Sequence, residues 1–160
     1  MLLIKKKHDK ILHPYLWEVL RKFEFLEGFI KILQSLYDYT NTTVLINGKL
    51  SQSFIVCRGA RQGDALSCPL FDITIEPLAA SIRGSTSITG IQIPRTRKFL
   101  KIKLFADDTI VFLSEEDSID DLQTILNDWC EVSRAKFNIE KTEIIPLSKP
   151  AQRVSEPLTP

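Results

Sequence analysis

"KIKLFADDTIVFL", residues 101–113, sets Asp107 and Asp108 side by side between two runs of strand-forming apolar residues. The runs predict the two arms of a buried antiparallel hairpin, with the acidic pair at its turn. Adjacent carboxylates repel one another and gain little from burial, so something must offset their cost. Two readings fit. Aspartate is a good turn residue, and a pair at an exposed tip is simply solvated. Alternatively, the pair supplies hard oxygen ligands to a divalent cation such as magnesium, whose shell a substrate's phosphates complete. Two such ions about 3.5–4 Å apart can clamp the attacking and leaving oxygens of an in-line phosphoryl displacement.

Working outward from the hairpin, local patterns predict most of the elements. A short apolar start reads as the stub of a strand, and Pro14 suits the first turn of a helix. Leu16, Val19, Leu20 and Phe23, then Phe29, Ile32, Leu33 and Leu36, recur at helical spacing with Gly28 as the interruption. Residues 14–38 therefore read as two helices or one bent helix. In "TVLINGKLSQSFIV" two strand-like runs meet at Asn47-Gly48, a strong hairpin signal. A glycine-containing loop, "CRGARQGDALSCPLF", leads into a helix from about Ser67 to Arg83 that closes at Gly84. Strands near 88–93 and 99–106 precede the acidic turn. After it, "SEEDSIDDLQTILNDWCEVSRA" places acids at a helix N-terminus and Ile119, Leu122, Leu126 and Trp129 on one face. A last strand near 142–147 and a disordered tail from Ser148 complete the expectation. Helices and antiparallel hairpins without regular alternation predict an α+β fold, helices packed on one face of an antiparallel sheet.

Composition narrows the class. The 160 residues are 44% hydrophobic and 26% charged, enough apolar mass for one globular core. A formal net charge of +1 carries no electrostatic signature, so any nucleic-acid contact must come from local patches. One such patch is "PRTRKFLKIK", with Arg95, Arg97, Lys98, Lys101 and Lys103. It fits either a phosphate-tracking strand or the charged face of an edge strand that discourages aggregation. Cys57, Cys68 and Cys130 form no paired motif and read as reduced, mostly buried thiols of an intracellular protein, cytoplasmic or nuclear and not secreted. No span approaches the apolar length of a transmembrane helix. Asn41-Thr42-Thr43 fits a glycosylation pattern too short to carry weight.

Three blocks in order, "RGARQGDALSCPLFDITIEPLAASIR", "KLFADDTIVFL" and "AKFNIEKTEII", resemble the palm domain of reverse transcriptases of non-LTR (LINE-type) retrotransposons. The likeness continues upstream through "HPYLWEVLRKFEFLEGFIKILQSLYDYTNTTVLINGKLSQSF", so it covers about residues 3–147. It implies an RNA-directed DNA polymerase ancestry, with Mg²⁺ or Mn²⁺ as cofactor and an RNA template, a DNA primer and deoxynucleoside triphosphates as partners. It further implies that Asp107 is the metal-binding carboxylate and Asp108 its less directly engaged neighbour. Phe105 stands beside the primer terminus, and Arg58, Gly59, Arg61, Gln62 and Gly63 lie against the incoming nucleotide and template. Lys141 matches a lysine on the nucleotide side of the palm.

The same comparison exposes departures. Ala65 and Cys68 replace prolines that usually follow the positions of Asp64 and Ser67. The third catalytic carboxylate aligns with Leu3, and the aromatic that screens the sugar 2′ position aligns with His8. Asp9 matches a different, non-ligating aspartate. Fingers and thumb are expected outside these residues. The expectation is therefore a partial palm at 1–147, inactive as this chain and decayed from a retrotransposon, with weak metal affinity, no membrane association and self-association through exposed apolar surface. The rival expectation is a non-catalytic remnant that binds nucleic acid or protein through Arg58, Arg61 and the basic strand.

Overall fold

A computed structural model describes residues 2–6, 11–37, 41–59, 64–105 and 108–147, with the backbone alone described for 2–6 and 138–141. The chain opens with β1 (Leu2–Lys6), α1 (His13–Lys22) and α2 (Glu27–Tyr37). Four short strands follow, β2 (Asn41–Thr42), β3 (Leu45–Ile46), β4 (Lys49–Leu50) and β5 (Phe54–Ile55). Then come α3 (Ser67–Gly84), β6 (Ile91–Gln92), β7 (Phe99–Leu100), β8 (Ile102–Phe105), β9 (Asp108–Val111), α4 (Ile119–Ser133) and β10 (Phe137–Ile144). The main sheet is antiparallel with order β10-β1-β9-β8. Thus the short apolar start becomes an interior strand. Its first three residues, Leu2, Leu3 and Ile4, are apolar, and Lys5 and Lys6 end it.

Side-chain alternation divides the sheet into two faces. Ile102, Thr109 and Val111 are buried and point toward the helices. Ile75, Leu78, Ala79 and Ile82 of α3, with Leu122, Leu126 and Trp129 of α4, complete that core. A second core joins Leu16, Trp17 and Leu20 of α1 to Ile30, Leu33 and Tyr37 of α2 and Leu70 of α3. Helix α3 therefore serves both cores. This explains why it continues through Pro77, where the missing N–H and the ring clash cost ~3 kcal/mol. Each buried leucine or isoleucine on either side returns about 1.5–3 kcal/mol.

Several sequence expectations are corrected. Gly28 does not interrupt the first helical region: the break lies at Phe23–Leu26, where Glu24 takes a left-handed φ of 58°, and Gly28 sits in the first turn of α2. Helix α3 does close at Gly84 as expected, and the chain leaves it through extended Ser85. The predicted strand at 99–106 divides at Lys101, and the last strand begins at Phe137, earlier than expected, because it pairs with β1 from Lys6 to Leu2 across an irregularity between Leu3 and Lys5. Ile119 is 40% exposed and leaves the α4 apolar face to Leu122, Leu126 and Trp129. Cys57 and Cys68 are exposed and Cys130 is half-buried, so the thiols are free but not mostly buried. Cys57 lies in a surface connection and Cys68 on the outer side of the first turn of α3. The tail from Ser148 lies outside the described residues.

The Asn47-Gly48 hairpin forms as expected, both residues taking positive φ (49° and 76°) as a two-residue turn requires. The acids before α4 divide their roles. Ser118 caps the helix by accepting from the Asp120 amide, and Asp120 and Asp121 occupy its first turn. Asp117 does something else. Its carboxylate accepts from the backbone amides of Thr89, Gly90 and Ser114 at 2.8–2.9 Å, tying the α3–β6 connection to the β9–α4 connection. Burial alone would raise its pKa, but the three amides outweigh it and hold the carboxyl at about 2. A folded pKa below the unfolded value of about 3.9 means that this stabilisation is full above pH ~4 and fades as pH falls toward 2. Asp117→Asn is expected to lower stability at neutral pH by about 2 kcal/mol. Urea midpoints measured from pH 6 to pH 2 should fall less steeply in the variant; parallel curves would remove Asp117 from the account.

Candidate polymerase site

Cross-strand register determines what shares the sheet's other face. Asp108 pairs with Phe105 of β8 and with Lys5 of β1, while Ile110 pairs with Lys103 and with Leu3. Directly opposed positions in an antiparallel pair lie on the same side. Since Thr109 and Val111 face the core, Asp108 and Ile110 project from the face away from the helices. There Asp108 is half-buried and Phe105 is 72% exposed. Leu3 occupies the register position between Ile110 of β9 and Glu143 of β10. The position where the resemblance expects a third carboxylate therefore lies in the strand beside the acidic hairpin, one alternation step from the partner of Asp108. A shift of five or six residues, needed to bring Asp9 there, would discard this register.

Magnesium ligation can be tested against the residues present. Asp108 supplies hard oxygen, the correct donor type. Number is the difficulty: among the described residues no three His, Cys, Asp or Glu groups converge. Glu143 lies two strands from Ile110, about 10 Å away at ordinary strand spacing, and is exposed. Asp107 lies outside the described residues, as do Arg61, Gln62 and Gly63. Among the described residues the donor set fits the ion in kind and falls short in count.

At the entrance to the glycine loop, Arg58 is exposed and forms an isolated bridge with Leu12. Gly59 takes a φ of 71°, and its amide donates to the Ile11 carbonyl at 2.9 Å. Its carbonyl lies 3.0 Å from Nε2 of His13, and the His13 amide donates to the Cys57 carbonyl. Buried between the rings of Trp17 and Tyr37, His13 thus clamps the loop entrance to the start of α1. Sequence reasoning missed this role, for which the local pattern carries no signal beyond a histidine before a helical proline. Lys141 lies inside β10 rather than at a helix-to-strand junction. Lys101, counted in the basic run, donates instead to the Ser85 carbonyl at 2.7 Å.

Known proteins share this stretch of sequence. The family model described as reverse transcriptase (RNA-dependent DNA polymerase) matches residues 2–152. An uncharacterized 149 kDa protein of transposon TX1 from Xenopus laevis is 27% identical over 138 residues, 86% of this chain and 10% of that protein. A retrovirus-related Pol polyprotein from the type-2 retrotransposable element R2DM of Drosophila melanogaster is 26% identical over 138 residues, covering 86% of this chain and 13% of its own length. Another, from a type-1 R2 element of Popillia japonica, is 25% identical over 133 residues, 83% and 21% of the two lengths. The chain spans only 10–21% of these relatives. With the matched model covering nearly the whole described fold, the chain belongs to the reverse transcriptase family, as a domain segment of the kind carried by non-LTR retrotransposon Pol proteins.

Proposed function

We propose that this chain is the palm segment of an intracellular RNA-directed DNA polymerase. In the intact parent it acts on an RNA template, a DNA primer and deoxynucleoside triphosphates, and the chain by itself is inactive. The single observation that carries the reading is the placement of β1 between β9 and β10, which sets Leu3 beside the β8–β9 hairpin. Magnesium, when bound, would balance charge on the transferred phosphoryl group and on the oxygens that enter and leave. Asp107 and Asp108 would hold it from the turn. Phe105 would pack beside the primer end, and Arg58, Gly59, Arg61, Gln62, Gly63 and Lys141 would line the nucleotide and template side. Clamping Gly59 to His13 supports that assignment by holding the loop entrance in one place.

Metal binding tests the assignment without requiring catalysis. Too few oxygens converge for a tight octahedral site, so Mn²⁺ is expected to bind weakly. Asp107→Asn should weaken that binding more than Asp108→Asn. Equal effects in paramagnetic relaxation would remove the primary role from Asp107.

The apolar surface carries a second expectation. Leu26 (80% exposed) and Ile32 lie on or beside α2, and Leu45, Ile46 and Leu50 lie on the β3–β4 hairpin. Such patches favour association. The isolated chain should therefore self-associate in light scattering at neutral pH and moderate salt, and a monodisperse monomer would contradict this. No described helix is long and apolar enough to cross a membrane.

A further inference from the structure

The β6–β7 hairpin lies outside the acidic hairpin and the glycine loop, and both its root and its tip are held by hydrogen bonds. At its root, the Thr89 and Gly90 amides are held by Asp117, and Lys101 is tied to Ser85. A Cβ on Gly90 would collide with the Leu100 carbonyl oxygen, so the chain passes close to β7 there. Its tip is equally committed. The Thr96 amide donates to the Ile93 carbonyl, the Ile93 amide to the Lys98 carbonyl, the Lys98 amide to Thr96 Oγ1, and the Gln92 side chain to the Thr96 carbonyl.

Ile93 to Thr96 form a turn with Pro94 at its second position and Arg95 at its third, where φ is 62°. That third position favours glycine or asparagine. Here an arginine accepts the strain. The rigid tip presents Arg95, Arg97 and Lys98, all exposed, and their charged ends have no partner among the described residues. Phe99, 50% exposed, follows directly. The pairing of cation with aromatic recurs at Lys103 and Phe105, on the open face of β8. Lys98 and Lys103 are at most about 18 Å apart along the chain. Charges that merely guarded an edge strand would lie along its edge, whereas three of these sit in the connection between β6 and β7.

We infer that this hairpin is a docking surface for a single-stranded polynucleotide: Arg95, Arg97 and Lys98 contact successive phosphates, and Phe99 stacks on a base. Guanidinium forks suit phosphate oxygens, and an aromatic platform beside them favours unpaired bases over a duplex or a lipid surface. Preference for a polynucleotide rests on the polymerase reading. The test does not, because it is run in EDTA and needs neither metal nor catalysis; failure of that reading would appear in the Mn²⁺ measurement instead.

Fluorescence anisotropy would follow the purified chain binding a labelled strand of about 15 nucleotides, with DNA and RNA as separate arms, from about 50 to 200 mM salt. Neutralising the tip with Arg95→Gln, Arg97→Gln and Lys98→Gln should reduce the slope of log affinity against log salt by about two, at ~0.7 per contact. Removing equal charge elsewhere, with Lys22→Gln, Lys31→Gln and Lys136→Gln, should leave the slope unchanged. Phe99→Ala should weaken binding roughly tenfold with the slope intact. Arg95→Gly separates function from folding: relieving the left-handed arginine should raise Tm by about 2–4 °C while binding falls. Equal slope changes from the two triple variants, an unchanged slope in both nucleic-acid arms, or equal competition by anionic phospholipid vesicles would overturn the proposal.

Discussion

Primer extension on a homopolymer template is expected to be absent for this chain, with Mg²⁺ and with Mn²⁺ alike. In-line phosphoryl transfer develops negative charge on the entering and leaving oxygens. Offsetting it requires carboxylate ligation from both sides of the cleft. The resemblance assigns one side to Asp107 and Asp108. On the other, the register puts residue 3 in the adjoining strand, opposite Ile110, and that residue is leucine. A hydrocarbon there forfeits preorganised charge stabilisation of at least several kcal/mol, on the order of what removal of one oxyanion-type donor costs. At 1.36 kcal/mol per tenfold, the rate falls by about three orders of magnitude or more. Leu3→Asp alone should restore little, because the relatives carry this stretch as only 10–21% of their length and template grip and nucleotide closure are expected from the remainder. The comparison is native chain, Leu3→Asp and Asp107→Asn. Robust native extension that vanishes in Asp107→Asn would overturn the placement of residue 3 and make Asp9 the next residue to mutate.

Trp129→Ala is expected to cost about 3–5 kcal/mol of unfolding free energy, the range for deleting a buried aromatic. That would be a large part of a typical domain's 5–15 kcal/mol. Trp129 joins three elements. From α4 it packs against Phe137 at the start of β10 with ring centroids 5.6 Å apart, and edge-on to Tyr15 of α1. Its Nε1 donates to the Tyr15 hydroxyl, which in turn donates to the Thr74 carbonyl of α3. Burial pushes the Tyr15 phenol above its ordinary pKa, against the opposing bond from Trp129. Trp129→Phe keeps most of the volume and loses the hydrogen bond, so it should cost only about 1 kcal/mol from that bond plus a smaller packing loss. Denaturant unfolding of both variants checks the pair. Near-equal losses would mean that the hydrogen bond, and not the packed ring, dominates at this position.

How much was legible in advance depends on how far apart the deciding residues lie. Asn47-Gly48, the α3 range and the apolar face of α4 could be read from single windows, because turn chemistry and helical periodicity act over a few residues. The reverse transcriptase family was legible too, since three ordered blocks preserve residue types at their spacing. Other features depend on long-range closure. The His13–Gly59 clamp joins residues 46 apart, Asp117 reaches Thr89 across 28, and Trp129 meets Tyr15 across 114. None leaves a periodic trace, because a side chain's local propensity says nothing about which distant amide or ring it will meet. The same holds for the cysteines and for Gly28, whose surroundings are decided by which faces of α1, α2 and α3 win the two cores. By itself the sequence determined the family, while the metal-ligand roles of Asp107 and Asp108 and the leucine at the third carboxylate position are expectations drawn from the resemblance. Only the tertiary structure decided that β1 lies between β9 and β10, that Lys101 turns inward while Arg95, Arg97 and Lys98 face solvent, and that Asp117 braces a loop, because strand register and burial are selected by competition among all the packed faces at once.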